Sequence, residues 1–484
     1  MAASEELLQR AKSLQSELQR FAEHVTRVYD GFQHSPTRYM CASFANELRT
    51  EAESLERIIH DIKSGDLLAS HRARSNNLAF LEPVWETAKR SRDIVRFRCA
   101  VSTGPFKKQI LAPGTRIVRT QGESRPIRSG NFIIDVIADG GKSWYKVSSI
   151  DNKRLLFDLA KEAVYLGDSD GEEDAEATFQ NYMGDIPLLK LAKTLAISAK
   201  GHRIQTKSPR AFLVLPRIKE GVHPSVDTIL KACRELSVLP ICGDTLSPAP
   251  SLSDSLLHAM APSPKASFSE VLNIDTSLLV ALASDFSHTT VVKQPWFSHS
   301  HNAHADLESE RSMLSLVYPV VGNCKLVCTR DAADIFMHIV DTLATESEKA
   351  RARLILLSSD TEKSQSQRVK ELQLLSIHKV PLYLQLPIDI IDTNGNNCQD
   401  RFTGLVRKKL ETALNPGRSV FSYGWAGGFT TLTCNSVFIK QLEKDLEQLP
   451  NLGDAVPWPS IWVFPTSRPF VGVPKHIRTC VHEA

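Results

Sequence analysis

The stretch Ser269–Ser284, SEVLNIDTSLLVALAS, constrains this chain more than any other. It is an apolar strand that ends on one acid, Asp275, with two hydroxyls, Thr276 and Ser277, behind it and an apolar helix start after them. A lone carboxylate at the end of a buried strand is costly to place unless something such as a divalent metal sits opposite it. Asp275 is therefore the first candidate site residue, and a metal there would need further acids beside it.

At 484 residues the chain exceeds one ordinary core, so two or three domains are expected. Residues 1–97 read as helical. Leu7, Ala11, Leu14, Leu18, Phe21, Val25 and Val28 keep a four-three spacing, and a second seam runs Cys41, Ala45, Leu48, Ala52, Leu55, Ile59 and Ile62. Two seams joined by a short loop predict an antiparallel helix pair, packed within the chain or against a protein partner. Residues 98–244 read as a small α/β domain, with strands expected at Thr115–Thr120, Asn131–Ala138, Ser143–Ser149, Ala211–Leu215 and Val238–Cys242 and helices between. Residues 245–267 are rich in Ser, Pro and Ala and read as a linker. Residues 268–484 read as a second α/β domain with a mainly parallel sheet, its second strand at Lys325–Thr329 followed by a helix over Asp331–Leu343.

Charge and cysteine usage narrow the setting. A net charge of +3 and a pI near 8.3 are too mild to indicate nucleic acid by themselves. No segment approaches the ~20 apolar residues that span a bilayer, so no membrane partner is expected. Nine cysteines, an odd number without a CxxC pair, point to a reducing compartment, the cytoplasm or nucleus.

Three motifs lose on inspection. Gly141-Lys142-Ser143 lacks the upstream glycine of a phosphate loop, since Val136 stands there. Asp135 and Lys146 on neighbouring strands resemble a nuclease acid and lysine, but Trp144 occupies the place of the second acid. His299, His301 and His304 read as lying between regular elements, with nothing to fix metal-ligand spacing.

The segment Val420–Ile439, VFSYGWAGGFTTLTCNSVFI, together with Asn131–Val147, Leu272–Leu279, Ser75–Leu78 and Ile339–Leu343, resembles an uncharacterised eukaryotic family of unknown function. Its members have a helical N-terminus, a middle α/β domain and a PIN-like C-terminal domain. The resemblance implies a nuclease-like fold whose acids gather at the carboxyl edge of the sheet around Mg2+ or Mn2+. On that pattern Asp275 and Asp334 are the catalytic and metal-ligating acids, with Glu348, Asp389 and Asp392 as further candidate ligands. Thr276, Ser277, Thr431, Thr433 and Asn435 would orient a ligand or phosphate. The family's third acid corresponds to the segment Gly424–Gly428, which contains none. Two functions follow from the resemblance. One is a non-catalytic adaptor or RNA-binding scaffold with a degenerate acid cluster and a protein partner at the N-terminal helices. The other is a metal-dependent nuclease.

Overall fold

The computed structural model describes residues 2–29, 40–66, 68–102, 131–166, 186–205, 207–356, 363–393, 418–447 and 457–472. The chain forms a mixed α/β structure in two units that meet in sequence at Ser263 and Pro264. The strand expected at Thr115–Thr120 lies outside the described residues.

The first unit begins with helices α1 (Ala2–Val28), α2 (Ala42–Lys63), α3 (Ala69–Arg74) and α4 (Leu78–Lys89). Lys12 reaches Glu56 at 2.8 Å and Lys63 approaches Glu5 at 3.7 Å, which sets α1 and α2 antiparallel. Their seams are consumed inside the unit. Phe21, Phe44 and Leu48 are fully buried, and Phe44 stacks on Phe97 of the first strand at 5.3 Å between ring centroids. Trp85 of α4 joins them, its indole N–H donating to Glu17 at 2.6 Å.

That aromatic layer rests on a sheet of order β1-β2-β3-β4-β5: β1 (Arg96–Ser102), β2 (Asn131–Ala138), β3 (Ser143–Val147), β4 (Arg210–Leu215) and β5 (Val238–Cys242). The first three strands are antiparallel neighbours, and β3, β4 and β5 run parallel. Parallel strands need crossovers, supplied by α5 (Asn152–Leu166), α6 (Pro187–Lys200) and α7 (Pro224–Glu235), whose apolar stripes build a second core with Ile134, Trp144 and Leu213. Part of the Ser/Pro-rich stretch is ordered: α8 (Asp254–Met260) starts on the Ser253 cap and buries Leu257 and Met260 in the helical core. The amides of Asp93 and Ile94 bond to the carbonyls of Ala259 and Met260.

The second unit carries a sheet of order β10-β9-β6-β7-β8, parallel throughout. Its strands are β6 (Val271–Ile274), β7 (Lys325–Thr329), β8 (Asp389–Ile391), β9 (Thr430–Thr433) and β10 (Ile461–Val463). The chain lays down β6 first, extends outward through β7 and β8, then returns to the other side of β6 with β9 and β10. Helices follow in chain order as α9 (Thr276–Ala283), α10 (Asp285–His288), α11 (His299–Glu310), α12 (Met313–Val321), α13 (Arg330–Leu343), α14 (Glu346–Leu356), α15 (Gln365–Leu374), α16 (Arg418–Gly427) and α17 (Ser436–Glu447). The His299–His304 group, expected between elements, lies in α11, which starts on the Ser298 hydroxyl cap.

Candidate functional site

In an open parallel sheet the place to look is the carboxyl edge where strand order reverses, because loops there diverge and leave a crevice. Here that point lies between β6 and β9. Asp275 directly follows β6 and Thr433 ends β9.

Side chains alternate along a strand, so Asn273 and Asp275 share one face of β6 while Leu272 and Ile274 bury in the other. Asn273 pairs in register with Thr431 and Ile274 with Leu432, which sets Asp275 beside Thr433. The Asp275 amide continues the ladder to the Leu432 carbonyl at 3.0 Å. Two buried polar pairs result, one behind the other.

The outer pair is Asp275 with Thr433 and Ser277. Asp275 Oδ2 accepts from the Ser277 hydroxyl at 2.6 Å and from the Thr433 hydroxyl at 2.7 Å. Ser277 in turn accepts the Cys434 amide at 2.9 Å, and Thr433 accepts the Asn435 amide at 3.0 Å. Burial beside the Asp275 carboxylate pushes the Cys434 thiol up to about 12, so it stays protonated. Asp275 is 8% exposed, and its Oδ1 carries no hydrogen bond among the described residues. The inner pair is Asn273 with Thr431: the amide donates to the Thr431 hydroxyl at 3.0 Å and to the Val420 carbonyl of α16 at 2.8 Å.

Three helices start at this edge directly after strand ends: α9 after Asp275, α13 after Thr329 and α17 after Asn435. Their N-termini favour negative charge. Asn435 serves as the α17 cap, its side-chain oxygen accepting from Phe438 at 3.1 Å. Thr276 donates to the Ala332 carbonyl at 3.3 Å, tying α9 to the first turn of α13. Thr329 and Ser419 add a hydroxyl contact at 3.2 Å between β7 and the start of α16.

Of the other expected acids, Asp334 is exposed on α13, two residues past the Ala332 carbonyl that Thr276 bonds, and the remaining three are committed elsewhere. Glu348 is fully buried and accepts the amides of Asp285 (3.0 Å), Thr345 (2.9 Å) and Val471 (2.8 Å). Burial raises its pKa against the pull of those amides. Asp389 pairs with Lys325 at 2.9 Å and Asp392 with Arg330 at 2.8 Å, both on the surface. Among the described residues no group of three or more His, Cys, Asp and Glu side chains could hold a metal ion, the α11 histidines included. A Mg2+ or Mn2+ centre needs several hard oxygen ligands, and one carboxylate already bound by two hydroxyl donors does not fit that need.

The segment Gly424–Gly428 lies beside β9. Gly427 and Gly428 precede β9, at the amino edge of the sheet, while Gly424 sits over the inner pair. A Cβ on Gly424 would stand 2.1 Å from the Thr431 hydroxyl and 2.9 Å from the Asn273 amide, so glycine there lets α16 approach the sheet.

In the first unit, Asp135 is fully buried. It accepts the Val147 amide at 2.7 Å and pairs with Lys146 at 3.2 Å and with Arg98, which also binds Glu47 at 2.9 Å. Both carboxylate oxygens are committed to protein partners, so the hairpin acid is structural.

Sequence reasoning passed over Asn273, Ser419 and Cys434. Asn273 was detectable: it is a polar residue two positions before Asp275 in an otherwise apolar strand, and so on the same face.

The family described as "Protein of unknown function (DUF1308)" matches residues 272–381, from β6 through the loop after α15. The match includes Asp275, Asp334 and Glu348, whereas Thr431, Thr433 and Asn435 lie beyond it. No curated protein and no solved structure matches the chain.

Proposed function

We propose that the second unit is a PIN-like domain that binds rather than cuts, and that the chain works as a non-catalytic adaptor. The observation behind this reading is that Asp275, at the switch point of the sheet, spends Oδ2 on Ser277 and Thr433 and belongs to no group of three or more potential metal ligands among the described residues. In-line hydrolysis of a phosphodiester by the two-metal route needs acids shared between ions about 4 Å apart, and this arrangement supplies no such cluster. A protein partner fits better than RNA at this edge, because Asp331 and Asp334 are exposed on the first turns of α13 and would repel phosphates. At the N-terminal helices a partner would meet only the outer charged faces, since the seams are buried.

A second reading keeps one specific support. Asp275 Oδ1 is uncommitted among the described residues, and Thr276 ties α9 to the turn of α13 that leads to Asp334. A nuclease using Asp275 and Asp334 would start from that pair.

One assay separates the two. Full-length protein and its Asp275→Asn variant are incubated with labelled single-stranded RNA and Mn2+. The adaptor reading expects no cleavage by either protein. Cleavage by the wild type that disappears in Asp275→Asn would establish the nuclease instead.

A further inference from the structure

We propose that the loop Leu374–Tyr383 is a docking site for a partner protein offering an apolar pocket rimmed by carboxylates. Four of the fourteen large hydrophobic side chains exposed among the described residues fall in this one short segment: Leu374 (86%), Ile377 (63%), Leu382 (78%) and Tyr383 (47%). The others are spread along both units.

The loop backbone is fixed from several sides. Arg351 of α14, 1% exposed, donates from Nε and Nη2 to the Leu375 carbonyl at 2.9 and 2.8 Å, and its Nη1 is anchored on Asp285 at 2.7 Å. Gln373 donates to the carbonyls of Ser376 (3.2 Å) and His378 (3.0 Å) and accepts the Val380 amide at 2.8 Å. The Ile377 amide bonds to the His288 carbonyl, and Gln365 donates to the Leu384 carbonyl at 2.9 Å. A backbone held this firmly presents aliphatic tips to water without adding them to the unit's own core. Pre-ordering of that kind lowers the entropy lost on binding.

Charge selects the partner. Lys370 lies one turn before Leu374 on α15 and Lys379 lies within the loop; both are exposed and neither has an ion pair among the described residues. Glu371, next to Lys370 in sequence, pairs with Lys363 at 3.0 Å. The rim is thus positive and suits Asp or Glu on the partner. Two lysines fall short of the roughly four to eight basic residues of a membrane-binding patch, so a protein is favoured over an anionic bilayer.

This inference rests on the adaptor reading, and its test is separate from the nuclease assay. Cleavage of RNA there would end the adaptor reading and leave peptide binding unchanged. The full chain is panned against a displayed library of random peptides, and enriched sequences are synthesised and titrated. The expected consensus places Asp or Glu on either side of at least two large apolar residues. Affinity should fall roughly tenfold or more in an Ile377→Ser/Leu382→Ser variant and in a Lys370→Glu/Lys379→Glu variant, both with wild-type circular dichroism and melting. Enrichment without that consensus, or affinity unchanged in both variants, overturns the proposal. So does co-sedimentation with phosphatidylserine vesicles, or a solution dimer, that the same substitutions abolish.

Discussion

Asp275 illustrates how one side chain can be found from sequence while its partners cannot. An acid ending an apolar run is visible by inspection, but Thr433 arrives from 158 residues away and Ser277 reaches back to the carboxylate only because α9 begins there. Thr433→Val removes one hydroxyl donor and leaves the Asn435 amide without its acceptor. A loss of about 1–3 kcal/mol is expected, measured by urea unfolding, with Thr433→Ser retaining most of the stability. Asp135 behaves differently because it balances two cations in a buried setting. Asp135→Ala should cost about 3–5 kcal/mol, read the same way, whereas an exposed acid such as Asp334 changed to Ala should leave the midpoint within experimental scatter. Glu348 was legible but misread: Thr345-Glu346-Ser347-Glu348 is the spacing of a capping box. The Glu348 carboxylate indeed accepts the Thr345 amide while the Thr345 hydroxyl accepts the Glu348 amide at 3.2 Å. An acid so placed serves the start of a helix and is poorly positioned to bind metal.

Among elements, period-based expectations work where one face of a helix or strand is buried. Val238–Cys242 and Lys325–Thr329 form as read, and α1 and α2 bury their seams, because burial of a stripe is what the spacing encodes. Strand β1 escaped notice since Arg96 and Arg98 break its apolar look; Arg98 is nonetheless useful there as the partner of Asp135 and Glu47. The contact of α16 with β6 and β9 could not be read from pattern either, as it depends on a missing side chain. Gly424→Ala should force α16 off the Thr431 hydroxyl at a cost of about 1–3 kcal/mol. Thr431→Ala in the same chain should recover part of that loss, a coupling that a double-mutant cycle in urea would measure.

Across the whole molecule, two buried histidines should weaken stability in acid. Burial lowers the pKa of His24 in the first unit and holds His288 in the second near 3. An unfolded histidine takes up its proton near pH 6.5, so below that pH the unfolded chain binds more protons and stability falls as pH falls. From pH 6.5 to 5.5 His288 alone should cost about 1 kcal/mol. Urea midpoints at pH 7.5, 6.5 and 5.5 would show the decline, and His288→Gln should make it shallower.

The strand order of the second unit has a further consequence in time. Strand β6 is made early and must wait for β9, its neighbour at the switch point, until some 158 residues later in synthesis. At ribosomal rates that interval is roughly 8–30 s. Throughout it one edge of the central strand has no neighbour to pair with. Nascent chains of this protein therefore carry an open, adhesive sheet edge for most of the unit's translation.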